Sequence, residues 1–195
     1  MIAYKGFNRG LECRGYQFHM GLNVTKEANC VRNGFHCAHN PLDCLCYYPD
    51  MEKSVYCVVN AGGDIDEDAT DSKISCTELT ILKKLTRREF FLHALAYMHD
   101  HPKALWGGCV EHESGVAHDG YTIVRGKNPR AKGCKGDILA MAKESTDTSE
   151  IEKVALAIVD GKRLKPDVWY DITLSRCSKP QPSLEWKDCQ GRKDN

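Results

Sequence analysis

The chain has no excess of either charge: 27 Lys and Arg stand against 27 Asp and Glu in 195 residues. A whole-molecule attraction to nucleic acid or to an anionic membrane is thereby excluded, and any such binding has to come from a local patch. Long apolar runs are also missing. The longest, such as Val154 to Val159, fall far short of the roughly 20 residues that a membrane-spanning helix needs. The start, Met1-Ile2-Ala3-Tyr4-Lys5-Gly6, carries no apolar signal segment, so a cytoplasmic location in a host cell is expected. Absent too are a Walker A loop, a GxGxxG strand-helix fingerprint, a G-x-S-x-G elbow and an H-E-x-x-H pair. Several Cys and His are present, yet no spacing pairs a nucleophile with a base. A binding role is therefore expected in preference to catalysis, with no cofactor and no metal.

What the sequence has in quantity is cysteine, 11 in all. An odd number, spread along a chain without a signal segment, argues against a disulfide framework. The expectation is reduced thiols serving as small buried apolar groups.

Short strands are predicted at Ile2–Phe7, Tyr16–Met20, Ser54–Val59 and Leu79–Leu82, where aromatic and β-branched residues precede Gly or Asn. A short helix follows Asn40 as cap, with Pro41 in its first turn, Asp43 at the favoured end of the dipole and Pro49 beyond it. The main helix is predicted from Arg87 to about His99. Thr86 and Glu89 have capping-box spacing, and Phe90, Phe91, Ala94, Leu95 and Met98 form its apolar stripe. Seven glycines punctuate Gly107 to Gly136, the pattern of a degenerate β-roll or of a long loop. Further strands are predicted at Asp137–Lys143, Ile151–Val159 and Asp167–Leu174, as a meander turning at Asp160-Gly161. The fold class expected is α+β, mostly antiparallel short strands with one main helix. Its parts would be an N-terminal α+β domain (1–105), a Gly-rich connector or short β-roll (106–136), a C-terminal β-meander (137–176) and a flexible tail (177–195).

Three clusters carry candidate chemistry. Cys30, His36, Cys37, His39, Cys44 and Cys46 offer soft ligands, but His36-x-x-His39 and Cys44-x-Cys46 are not the spacings of structural zinc, so a buried cysteine-rich turn is expected. Asp64-Ile65-Asp66-Glu67-Asp68 with Asp71 opens like a calcium loop, yet Ala69 and Ser75 replace the required Gly and Glu; a solvated acidic loop is expected. Arg125, Lys127, Arg130, Lys132 and Lys135, set among glycines, are the candidate ligand-binding group for phosphate or nucleic acid, with a solvated basic loop as the plainer alternative.

Taken in order, Tyr4-Lys5-Gly6-Phe7, Cys13-Arg14-Gly15, Gly34-Phe35-His36-Cys37, Asn40-Pro41-Leu42-Asp43, Tyr47-Tyr48-Pro49 and Asp71-Ser72-Lys73 resemble a domain family of unassigned activity found often in phage and prophage proteins. Val159-Asp160-Gly161-Lys162 and Lys165-Pro166-Asp167-Val168-Trp169-Tyr170 resemble the ending that accompanies it, with a Gly-, Ser- and Ala-rich repeat region between the two in many relatives. The resemblance implies a phage or mobile-element origin. It also implies an accessory protein that binds and inhibits a host defence component, of anti-CRISPR or nucleotide-signal antagonist type, with a host immune protein or its nucleotide signal as partner. A second resemblance, to ADP-ribosyltransferase-like domains, rests on Tyr4-Lys5-Gly6, Gly34-Phe35-His36 and Leu42 to Tyr47. It implies an NAD-using transferase with Tyr4, His36 and Glu78 near the nicotinamide. The third reading is a phosphate or nucleic-acid binding module built on the basic group from Arg125 to Lys135.

Overall fold

The computed structural model describes residues 1–26, 28, 33–67, 72–104 and 106–180. In chain order these form β1 (Ile2–Asn8), β2 (Glu12–Cys13), β3 (Tyr16–Gln17), β4 (Gly21–Val24), β5 (Phe35–Ala38), α1 (Asp43–Tyr47), β6 (Ser54–Glu67), β7 (Lys73–Leu85), α2 (Arg87–Asp100), β8 (Val110–Val116), β9 (Tyr121–Lys132), β10 (Ile138–Glu144), β11 (Ile151–Ile158) and β12 (Tyr170–Asp171). Strands take 50% and helices 11%. The expected α+β class is corrected to mostly β, because the strands run longer than their propensities announce. Of the expected cysteine-rich turn, His36 and Cys37 lie in strand β5 and Cys44 and Cys46 in α1, and the acidic residues Asp64–Glu67 end β6 instead of forming a loop. Asp68 and Asp71 lie outside the described residues.

The first sheet closes on itself. β6 pairs with β1 on one side and β7 on the other, while β5 pairs with both β1 and β7, every pair antiparallel. The four strands thus ring a core of Phe7, Phe35, Cys37, Cys57, Val59, Ala61, Ile74, Cys76, Leu79 and Ile81. Such tight closure needs sharply bent strands. The bends fall where the β6–β7 register shifts, at Val58/Val59 and at Gly62/Ile65, since a bulge kinks and twists its strand. β4 extends the ring beside β7, and the β2–β3 hairpin hangs from the end of β1.

Helix α2 forms as predicted. Thr86 Oγ1 accepts the Glu89 amide while the Glu89 carboxylate accepts the Thr86 amide. Its buried stripe packs on Leu42, Leu45, Met51, Tyr56 and Leu85 from the first half and on Ile123, Ile138, Ala140, Ala142 and Ile151 from the second. The two halves therefore share a core through this helix. The cap of α1 is Leu42 and not the expected Asn40, and it makes no side-chain cap bond; Asn40 Oδ1 accepts the Leu42 amide at 3.0 Å ahead of the helix.

The glycine-rich stretch is a sheet element and not a connector. β8, β9 and β10 lie parallel, in rungs Val110–Ile123–Ala140, Glu111–Val124–Met141 and His112–Arg125–Ala142. The links 117–120 and 133–137 are too short for a helical crossover between parallel strands. The chain instead coils, and β9 bends where residues 126–129 bulge opposite Glu113. Gly126 leaves room there for the Glu113 carboxylate, whose Oε1 would lie 2.5 Å from a Cβ. The expected meander is also corrected: β11 returns antiparallel on β10, but β12 crosses to pair with β9. Leu139, Met141, Val124, Ala131 and Tyr170 fill the interior of this half.

Candidate functional site

β6 pairs with β1 from end to end, but among the described residues the opposite edge of β1 is met at two places only. Tyr4 lies opposite Ala38 of β5, and Asn8 lies opposite Glu12 of β2. Between these ladders the sheet parts, and a cavity of about 340 Å³ opens. Lys5, Gly6, Cys13, Arg14, Asp43 and Lys73 contribute to its wall, with Tyr16, Phe18, Phe35, His36, Tyr47 and Tyr48 supplying rings. Each of the six segments up to Lys73 that carried the first resemblance sends at least one residue here, whereas the two C-terminal segments send none. Segments separated by dozens of residues in the chain thus converge on one hollow.

Lys5 dominates the electrostatics. Its place between Ala3 and Phe7 on the inward side of β1 leaves it only 5% exposed. Nζ donates to the His36 carbonyl at 2.7 Å and stands 5.1 and 5.4 Å from the ring centres of Phe7 and Phe18. Among the described residues no carboxylate forms an ion pair with it. Ring faces and a carbonyl offset part of the desolvation of a buried ammonium, but a counter-ion is what such a charge ordinarily needs, the penalty being several kcal/mol.

Beside it, Tyr48 packs against Gly6, where a Cβ would sit 2.5 Å from Cδ2 of the ring. Only glycine lets the ring this close. The Tyr48 hydroxyl donates to Cys13 Sγ at 3.1 Å, and Lys5 Nζ stands 3.6 Å from the same sulfur. Burial pushes the Tyr48 hydroxyl above the ordinary range, and its bond to Cys13 adds to the rise. Burial also pushes the Cys44 thiol, in the cavity floor, up to about 12. Tyr16, Phe18 and Phe35 meet edge-to-face or tilted with centroids 4.6 to 4.9 Å apart, making a rigid apolar wall.

The sequence-predicted residues are distributed differently. Of Tyr4, His36 and Glu78, only His36 lines this cavity. Tyr4 directs its hydroxyl to His93 Nδ1 at 3.0 Å, and Glu78 is exposed beside Gly62 and Gly63. The basic group does not converge either. Arg125 is buried in an ion pair with Glu144 at 2.5 Å and donates to the carbonyls of Pro102 and Ser149. Arg130 reaches the Ser178 carbonyl, Lys132 stands near Asp167 and Trp169, Lys127 is exposed, and Lys135 packs by Gly161. A second hollow of about 360 Å³ lies around Arg125, Trp106 and Glu144, where Arg125 Nη1 and Trp106 Nε1 are buried without a hydrogen-bond partner among the described residues.

Cys30 of the suggested ligand cluster lies outside the described residues, and among those described no three metal-ligating side chains gather. Cys37, Cys44, Cys57 and Cys76 are buried as expected, whereas Cys13, Cys109 and Cys177 are half-buried and Cys46 and Cys134 exposed. Lys5, Cys13 and Tyr48 were not singled out by sequence reasoning. The available signal was a lysine alternating with Ala3 and Phe7 on an otherwise apolar strand face. Among the described residues no helix is long and apolar enough to cross a membrane.

Residues 1–93 match the model of a family described as a domain of unknown function (DUF7666). That span takes in the closed ring, the cavity and the first half of α2. No curated protein and no solved structure matches the chain.

Proposed function

We propose that the protein acts by binding a small molecule in the cavity at the parting of the first sheet. The ligand class is a flat, largely apolar body bearing one anionic group, as in a nucleotide. In the phage-type setting that the sequence resembles, this corresponds to an accessory protein that sequesters a nucleotide signal of host defence. The observation that carries the reading is Lys5, a buried ammonium without a carboxylate partner among the described residues, at the edge of an aromatic-walled hollow. An anionic group arriving there supplies the missing counter-ion, while Tyr16, Phe18 and Phe35 offer ring faces and edges to the body of the ligand. Arg14 and Lys73, in the same wall, add positive charge for a phosphate or carboxylate.

The test is native mass spectrometry of the protein purified gently from a bacterial host, followed by identification of whatever is released on denaturation. The expected result is an added mass of a few hundred daltons, lost from the Lys5→Met variant and belonging to an anion. Protein of bare mass that also gains no mass when incubated with a panel of mononucleotides, cyclic oligonucleotides and aromatic carboxylates contradicts the proposal.

A further inference from the structure

The sulfur of Cys13 is the meeting point of two donors. Tyr48 gives it an O–H at 3.1 Å, and the Lys5 ammonium lies at 3.6 Å. Two donors, one of them charged, thus converge on a single sulfur, which orients it and is ready to support it as it attacks a carbon. Neither donor is free to turn elsewhere. Lys5 is anchored by the His36 carbonyl at 2.7 Å, and the Tyr48 ring is seated on Gly6. Cys13 is itself fixed at the end of a hairpin whose turn, Arg14 and Gly15, has φ of 49° and 78°. It is half-buried and lines the cavity, so a small molecule seated there reaches it.

No other described cysteine combines these features. Cys37, Cys57 and Cys76 lie in the ring's interior, and Cys44 is a buried residue of α1. Cys46 and Cys134 are exposed and do not line the cavity.

We propose that Cys13 is a nucleophile and a covalent attachment site, with Lys5 and Tyr48 as the groups that hold its sulfur ready, for a small apolar molecule carrying an electrophilic carbon. The sulfur's electron pair forms the S–C bond while the bond from that carbon to its leaving group breaks. The leaving group departs with the electron pair, and the thiol proton passes to solvent. No oxidant or cofactor enters. The proposal does not depend on the reversible ligand proposed above, since intrinsic reactivity is measured without it.

The experiment is limited alkylation of the native full-length chain with iodoacetamide, quenched at intervals and mapped by peptide mass spectrometry. Cys13 is expected to react roughly tenfold faster than Cys46 and Cys134, although those are more exposed. Tyr48→Phe and Lys5→Met should each slow Cys13 severalfold while leaving Cys46 and Cys134 unchanged. Those two sites report whether the fold is intact, and Tyr48→Phe keeps the ring on Gly6, so it decides the matter if Lys5→Met fails to fold. Reaction of Cys13 at or below the rate of the exposed cysteines overturns the proposal. So does an unchanged Cys13 rate in Tyr48→Phe.

Discussion

The two carboxylate oxygens of Glu113 accept the backbone amides of Lys127 and Asn128 at 2.7 and 3.0 Å. The bend of β9 looks, by composition, like a nest for phosphate, but its amides are already occupied by this side chain from β8. Glu113 stands at φ 61°, a conformation uncommon for a residue with a side chain, so the arrangement is held by what it bonds. Replacing Glu113 with Ala removes two charge-assisted hydrogen bonds, each worth about 1.5–3 kcal/mol. The chain should lose stability on urea denaturation, and only the variant should gain protection from added phosphate. Equal phosphate protection of the unaltered chain would show that the loop binds anions despite Glu113.

The Arg125–Glu144 pair gives a second expectation. Its side chains are 7% and 20% exposed, so truncating one partner strands a charge in the interior. Glu144→Ala should cost about 3 kcal/mol, whereas the double change Arg125→Met, Glu144→Leu should cost less, because burying two matched apolar groups avoids the uncompensated charge. A double variant less stable than Glu144→Ala contradicts this assignment.

Cooperativity is the third. Phe91 is buried, and its ring lies 5.1 Å from that of Tyr121 across the junction of the halves. Phe91→Ala should cost about 3–5 kcal/mol. The unaltered chain should unfold in one transition by fluorescence and by far-ultraviolet circular dichroism. Separate midpoints for the two probes would mean that the halves do not share their core energetically.

The start of α2 makes stability depend on acid. Lys83 bonded to Glu89, followed by the Thr86 amide and hydroxyl, holds the Glu89 carboxyl down to about 2. Its folded value is depressed, so its contribution is present above the ordinary value of 4.5 and is lost as pH falls from there toward 2. The urea midpoint of the unaltered chain should therefore fall more steeply across that window than that of Glu89→Gln. Parallel curves would show that the carboxylate contributes nothing there.

How much of this could be read from residue order varies with the range of the interaction. Helix α2 was legible because its cap and its stripe are local, encoded between Thr86 and Met98. β1 and the β10–β11 hairpin were legible from short apolar runs. β5 was not, since Phe35-His36-Cys37-Ala38 acquires its strand character only by pairing with β1 and β7. β9 was hidden because Gly126 and Gly133 read as loop, when their role is to let coils approach closely. The destination of β12 depends on a long-range pairing that no local pattern encodes. For the cavity, resemblance located the segments but not their roles. Lys5 reads as an ordinary surface lysine until β6 and β5 cover it, and Cys13 reads as one thiol among many until Tyr48 is brought over Gly6.

The most direct test of the central claim, that the buried ammonium of Lys5 receives an anionic ligand, is calorimetric titration of mononucleotides and cyclic oligonucleotides into the native chain and into Lys5→Met. The account predicts saturable 1:1 binding of at least one of these anions to the native chain, weakened by a hundredfold or so on loss of the charge-assisted contact, with the variant still folded by circular dichroism. Binding of equal strength to a folded Lys5→Met variant would contradict it.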